Sequence, residues 1–183
     1  MTLAEIIAAE MDALRARTGR TELTYVETGT IRVDSAAHQI DDGWSTVEAA
    51  RQIAAHGGTA VSIDLETGVA ATVLERLGLA EHVRLVQGHS LDALSGLCLA
   101  GVRADVILLD SDNDPDLIMA EFVLARRIVA TPGTILIDDV DPGSGTARKG
   151  DRVLPLMDTV GARYEICRRT GLHYSTGVFI LRS

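Results

Sequence analysis

From Thr59 onward, short apolar runs alternate with helical segments of about ten residues. Residues 59–63, 83–86, 104–109 and 134–137 are Val/Ile/Leu-rich runs. Between them, residues 69–77, 91–99 and 117–129 repeat apolar side chains at helical spacing. Continuous apolar runs of this length read as strands buried on both faces, and strands separated by helices pair in parallel. Residues 23–27 supply a further strand before the series, and residues 3–17 and 45–55 read as helices, with Ser45 or Thr46 as N-cap of the second. Residues 30–42 read as a polar loop, Pro132-Gly133 as a break before the fifth strand, and Ser90 as a helix cap. After a helix near 151–160, two β-like runs at 164–168 and 177–181 have so short a join that they are most simply antiparallel. The expected fold is α/β, a Rossmann-like doubly wound sheet, mostly parallel with an antiparallel C-terminal strand, in one domain spanning 1–183.

A chain of 183 residues with 46% hydrophobic content can bury a substantial core. Its net charge of −9 and single lysine, Lys149, argue against nucleic acid and anionic membrane as partners. No stretch is long and apolar enough to span a bilayer, and the first residues lack a basic n-region, so a cytoplasmic location is expected. Cys98 and Cys167 lie in apolar segments and read as reduced core residues.

Two of the strand-like runs end in acids: Val106-Ile107-Leu108-Leu109-Asp110 and Thr134-Ile135-Leu136-Ile137-Asp138-Asp139. In an open parallel sheet, ligands bind beyond the carboxyl ends of the strands. Neighbouring strands would therefore gather Asp110, Asp138 and Asp139 at one edge, an arrangement that needs positive charge to offset it. All-oxygen ligands favour Mg²⁺, Mn²⁺ or Ca²⁺ over zinc. Asp112, Asp114 and Asp116 read as solvated, with Asp114 able to cap the helix begun by Pro115.

The other strand ends carry cofactor-like residues. Glu27-Thr28-Gly29-Thr30 follows the first strand, where a glycine permits close approach of backbone to ligand. Asp64 ends the second strand and could accept both hydrogen bonds of a ribose diol, or merely cap the next helix. Gln87-Gly88-His89-Ser90 follows the third and offers a small polar site for an adenine.

Taken in order, Glu-x-Gly, Asp64 and Gly88-His89-Ser90 resemble the cofactor motifs of class I S-adenosylmethionine-dependent methyltransferases, over residues 23–183. Asp110 with Asp138-Asp139 resembles the metal triad of the Mg²⁺-dependent O-methyltransferases of catechol, macrolide-sugar and cephalosporin-pathway type. The resemblance implies a cofactor set of Glu27, Gly29, Thr30, Ser45, Asp64, Leu65, Gly88, His89, Ser90 and Asp110. It implies a metal held by Asp110, Asp138 and Asp139, and methyl transfer to a hydroxyl of a small metabolite of sugar or natural-product type. Related enzymes often carry a histidine base three residues after the first metal acid, where this chain has Asn113. Lys149 or His173 then stands in as candidate base beside Asp110. The insert at 30–42 departs from the family; Arg32 and His38 there could cover cofactor or substrate. So small a domain leaves its pocket open or completed by a second subunit, as in a homodimer.

Three other enzyme classes share parts of the pattern. A NAD-dependent oxidoreductase would want tighter glycines after the first strand. A haloacid dehalogenase-like phosphatase would want a lysine between its acid motifs, and a response-regulator receiver its paired acids after the first strand. A non-catalytic cofactor-binding protein is the reading that Asn113 keeps open.

Overall fold

The computed structural model describes residues 1–41, 44–141, 148–170 and 175–183. Helix α1 (Leu3–Thr18) is followed by β1 (Leu23–Thr28), α2 (Ala36–Asp41), α3 (Ser45–His56), β2 (Gly58–Asp64) and α4 (Gly68–Arg76). Then come β3 (Val83–Gln87), α5 (Ser90–Leu99), β4 (Ala104–Leu109), α6 (Pro115–Ile128), β5 (Val129–Ile137), α7 (Val153–Thr159), β6 (Glu165–Thr170) and β7 (Ser175–Arg182). They form a seven-stranded sheet in the order β3-β2-β1-β4-β5-β7-β6. Strands β1 to β5 pair in parallel, and β7 is antiparallel to both β5 and β6.

The helices divide between the two faces, and the strands serve both. One apolar cluster joins α1, α3 and α4 to Tyr25, Val106, Leu108 and Leu136. The other joins α5, α6 and α7 to Val26, Ile107, Leu109, Ile135 and Ile137. Alternate residues of each strand therefore face opposite clusters, as a pleated strand requires. Ala104 and Val106 break that alternation, each facing a different cluster, where the β4–β5 register shifts. The shift carries β5 through Pro132-Gly133, so the strand begins at Val129 rather than after the expected break.

Three other local expectations are corrected. The segment 30–42 is not all loop: it contains α2, whose first turn is organised by Ser35, the hydroxyl receiving the His38 N–H at 3.3 Å. Trp44, in a left-handed conformation at φ 40°, takes the N-cap position of α3; Thr46 turns its hydroxyl to Glu27 instead. His89, not Ser90, caps α5, its Nδ1 accepting from the Leu91 N–H at 3.3 Å. Asp114 does cap α6, accepting from the Asp116 N–H at 2.9 Å. Among the described residues, no helix is long and apolar enough to cross a membrane.

Candidate active site

Strand order reverses at β1, which has β2 on one side and β4 on the other. The two following connections leave to opposite faces, and the crevice between them is where open α/β sheets bind ligands. Backbone bonds tie the strand ends together there. The Gly29 N–H donates to the Ile63 carbonyl at 2.8 Å, the Asp110 N–H to Thr28 at 2.9 Å, and the Gly88 N–H to Asp64 at 2.9 Å.

Two cavities open at this edge. The larger, about 450 Å³, is a groove over the ends of β1, β2 and β3. Its walls are Ile31, Ile63, Leu65, Val69 and Leu117, with Gly29, Asp64, Gly88, His89 and Ser90 as its polar and backbone surface. Asp64 is no helix cap, because α4 starts only at Gly68. Its Oδ2 accepts from the Thr30 N–H at 3.0 Å and faces Arg32 Nε at 3.5 Å, while Oδ1 accepts from the Glu66 N–H at 3.2 Å.

The smaller cavity, about 220 Å³, is the acid pocket. Asp110, Asp138 and Asp139 each bring a carboxylate oxygen within 4.8 Å of the others. Thr30, Asn113, Lys149 and Arg169 complete its lining, and Arg32, Ser111 and Asp112 form a wall shared with the groove. Lys149 Nζ donates to Asp110 Oδ1 and lies 3.7 Å from Asp139 Oδ2, and Arg169 pairs with Oδ2 of buried Asp138. Burial lifts the Asp138 carboxyl to about 7 against the pull of Arg169, and Asp110 and Asp139 add to the rise. Burial lowers Lys149, but the three acids outweigh it and hold its ammonium above the ordinary value. Lys149 is therefore charged while those acids face it. The left-handed backbone of Asp139, φ 52°, turns its carboxylate toward the other two.

Three oxygen donors at this spacing suit an oxygen-preferring divalent cation. The Oδ1 of Asp138 is buried and without a hydrogen-bond partner among the described residues, a ligand oxygen with its lone pairs unspent. The residues thus fit the ion, with Lys149 as the group it would have to share them with.

Not every expected cofactor residue reaches the groove. Glu27 is fully buried beneath it, accepting hydrogen bonds from Tyr25 at 2.8 Å, Ser62 at 2.6 Å and Thr46. Ser45 is likewise buried, in the first turn of α3. Thr30 lines the acid pocket, with its hydroxyl 3.1 Å from that of Thr46. His173 lies outside the described residues.

Two residues that the sequence reading did not single out hold the site in shape. Glu121 of α6 is fully buried, and its carboxylate accepts from Thr28 Oγ1 at 2.8 Å and Ser111 Oγ at 2.6 Å. It thereby joins the end of β1 to the shared wall. Arg169, expected in the join after the strand at 164–168, instead lies within β6 and pairs with buried Asp138. A buried-face position occupied by Glu or Arg is the only sequence signal either residue offers.

Glu27 carries a pH dependence. Burial raises its carboxyl, and hydrogen bonds from Ser62, Thr46, Tyr25 and Ser45 only partly oppose this. A carboxyl raised in the folded state binds more protons than in the unfolded chain, so its contribution to stability is full at low pH and is lost as pH rises through the folded value. Glu27→Gln should flatten the fall in stability as pH rises from the ordinary carboxylate range. Urea midpoints across pH 4 to 8 test this; an unchanged profile would place the slope elsewhere.

A doubly wound sheet whose switch-point groove opens onto an acid pocket has the layout in which α/β folds bind their ligands. A family model described as a methyltransferase domain matches residues 40–140, and the chain belongs to that family. It is 30% identical over 124 residues to a catechol O-methyltransferase of Mycobacterium tuberculosis, an alignment covering 66% of this chain and 52% of the relative. The chain thus spans about half the length of that curated relative. Among solved structures, a cofactor-bound protein from MTB superposes with a TM-score of 0.73 at 23% identity, covering 98% of this chain and 80% of the other. The O-methyltransferase from Bacillus cereus in complex with SAH gives 0.70 at 17% identity, covering 96% and 81%. TomG from Streptomyces achromogenes, in complex with SAM, gives 0.65 at 21%, covering 94% and 78%. These superpositions establish the fold as that of the class I methyltransferases.

Proposed function

We propose that this chain is an S-adenosylmethionine-dependent O-methyltransferase acting on a hydroxyl of a small metabolite, with a divalent cation at Asp110, Asp138 and Asp139. The observation that carries the reading is the shared wall of Arg32, Ser111 and Asp112, across which an apolar groove with a ribose-type acid meets a carboxylate pocket. Donor and acceptor would lie on either side of it. The names of the methyltransferase relatives support the same reaction type.

When bound, the cofactor would supply an activated methyl on a sulfonium, and a cation held by Asp110, Asp138 and Asp139 would supply charge that favours an ionised acceptor hydroxyl and offsets the acids facing Lys149. The protein supplies position. Asp64 would orient the ribose, Gly29 would let the backbone approach the thioether region, and the apolar walls would take the base. Holding the acceptor oxygen in line with the methyl converts an encounter into an intramolecular displacement. Lys149 Nζ, against Asp110, is the described group best placed to take the acceptor's proton once a bound cation offsets the acids that hold it as an ammonium; Asn113, on the same lining, cannot do so at neutral pH. Among the described residues the lining of the acceptor side is polar and carries no aromatic side chain, which suits a hydroxylated sugar-like acceptor better than a flat phenol. The net charge of −9 favours such an acceptor over nucleic acid.

A second reading, cofactor binding without turnover, is favoured by one feature: Lys149 and Arg169 already neutralise much of the acid cluster. Methyl transfer to hydroxylated acceptors separates the two readings, and calorimetric titration of S-adenosylhomocysteine, with Mg²⁺ and then with EDTA, tests the cofactor and metal sites that the first requires. Micromolar binding that Asp64→Ala weakens at least about tenfold, the loss of charge-assisted hydrogen bonds, is expected. A separate Mg²⁺ titration should show binding to the wild type. No S-adenosylhomocysteine binding in either condition overturns the methyltransferase reading, and cofactor binding without Mg²⁺ binding overturns the metal.

A further inference from the structure

Arg32 stands on the wall common to the groove and the acid pocket, and it is the one arginine or lysine of the groove lining among the described residues. Its side chain is 56% exposed and reaches across the opening: Nε is 3.5 Å from Asp64 Oδ2, and Nη2 donates to the Ser111 carbonyl. We propose that Arg32 anchors the carboxylate of the cofactor's amino-acid tail, having given up Asp64 to the ribose. This rests on the cofactor assigned above and adds a residue that decides which adenosine derivatives bind.

The hydrogen-bond inventory of Asp64 gives the first argument. A carboxylate offers about four lone-pair positions. The Thr30 and Glu66 N–H groups take two, and a ribose diol donates two more. Arg32 holds one of those at 3.5 Å, the longest of the contacts on Asp64, and is the partner that can leave. A guanidinium displaced on an exposed side chain remains tethered at the same wall.

Charge gives the second. With the ribose at Asp64 and the base near Gly88 and His89, the amino-acid tail would extend past Gly29 toward Asp110, Asp138 and Asp139. Those acids suit the tail's ammonium, whereas its carboxylate needs a cation. Lys149 and Arg169 are buried and already paired with those acids. Arg32 is left as the cation at the boundary that can turn to the tail, and guanidinium binds carboxylate through paired donors.

The test compares S-adenosylhomocysteine with 5′-deoxy-5′-methylthioadenosine, which keeps the adenosine and thioether but lacks the tail. By calorimetry, Arg32→Gln should weaken S-adenosylhomocysteine about ten- to hundredfold, the range for a charged hydrogen bond, and leave the methylthioadenosine affinity within about twofold. Arg32→Lys should recover part of the loss. Equal losses for both compounds, or none for either, overturn the anchor while leaving the cofactor reading intact. If wild-type protein binds neither compound, the cofactor reading falls and the anchor falls with it.

Discussion

Asp139→Ala is expected to abolish methyl transfer, by about a thousandfold or more, with S-adenosylhomocysteine affinity staying within about threefold of wild type. The split follows from placement: Asp139 lines the acid pocket and not the groove. Losing one of three anionic ligands weakens the cation that would bind the acceptor, and a thousandfold loss corresponds to about 4 kcal/mol of transition-state stabilisation. The variant should still fold. Alanine at φ 52° costs about 1–2 kcal/mol relative to a relaxed residue, well inside the stability of an ordinary domain. Asp139→Asn keeps an oxygen ligand and tolerates the left-handed backbone, so it should retain part of the activity. The measurement is single-turnover methyl transfer to a panel of hydroxylated acceptors, with and without EDTA. Full activity in Asp139→Ala, or indifference of the wild type to EDTA, would remove the metal from the mechanism.

Gly29→Ala should be strongly damaging to both stability and binding. Gly29 has φ 87°, and an added Cβ would sit 2.8 Å from the Asp110 carbonyl carbon, closer still to its oxygen, and 3.3 Å from the Ser111 nitrogen. Those neighbours are backbone, held by the bonds from Asp110 to Thr28 and from Gly29 to Ile63, and cannot rotate away. Left-handed strain of about 1–2 kcal/mol and overpacking of about 1–3 kcal/mol add to a loss of about 2–5 kcal/mol. At about 2–4 °C per kcal/mol for a domain of this size, the melting temperature should fall by about 4–20 °C. Cofactor binding should fail as well, because the floor of the groove and the arm bearing Asp110 move together. Gly78→Ala is the control: it has a similar φ of 69° and nothing within 4 Å of an added Cβ, so it should show strain alone. Equal effects at the two positions would mean that the close approach at Gly29 has no consequence of its own.

Much of this architecture is legible in the chain. The continuous apolar runs and helical patterns locate the strands and most of the helices, and the short join between the last two strands announces their antiparallel pairing. The acids at the ends of β1, β2, β4 and β5 are visible because a strand end is a local feature. The errors are local in cause too. Pro132-Gly133 reads as a break until a register shift in the partner strand accommodates it, and Ser45 and Thr46 read as caps until buried Glu27 claims the Thr46 hydroxyl.

The sequence by itself determined the α/β class and the strand ends that bear chemistry, because hydrophobic period and residue type act within a few positions along the chain. Only the tertiary structure decided that Lys149 and Arg169 stand against Asp110, Asp138 and Asp139, that Glu121 braces Thr28 and Ser111, and that Arg32 crosses from Asp64 to the shared wall. These are pairings between residues far apart in sequence, formed where burial makes an unpaired charge costly, and no period in the chain encodes which cation meets which acid.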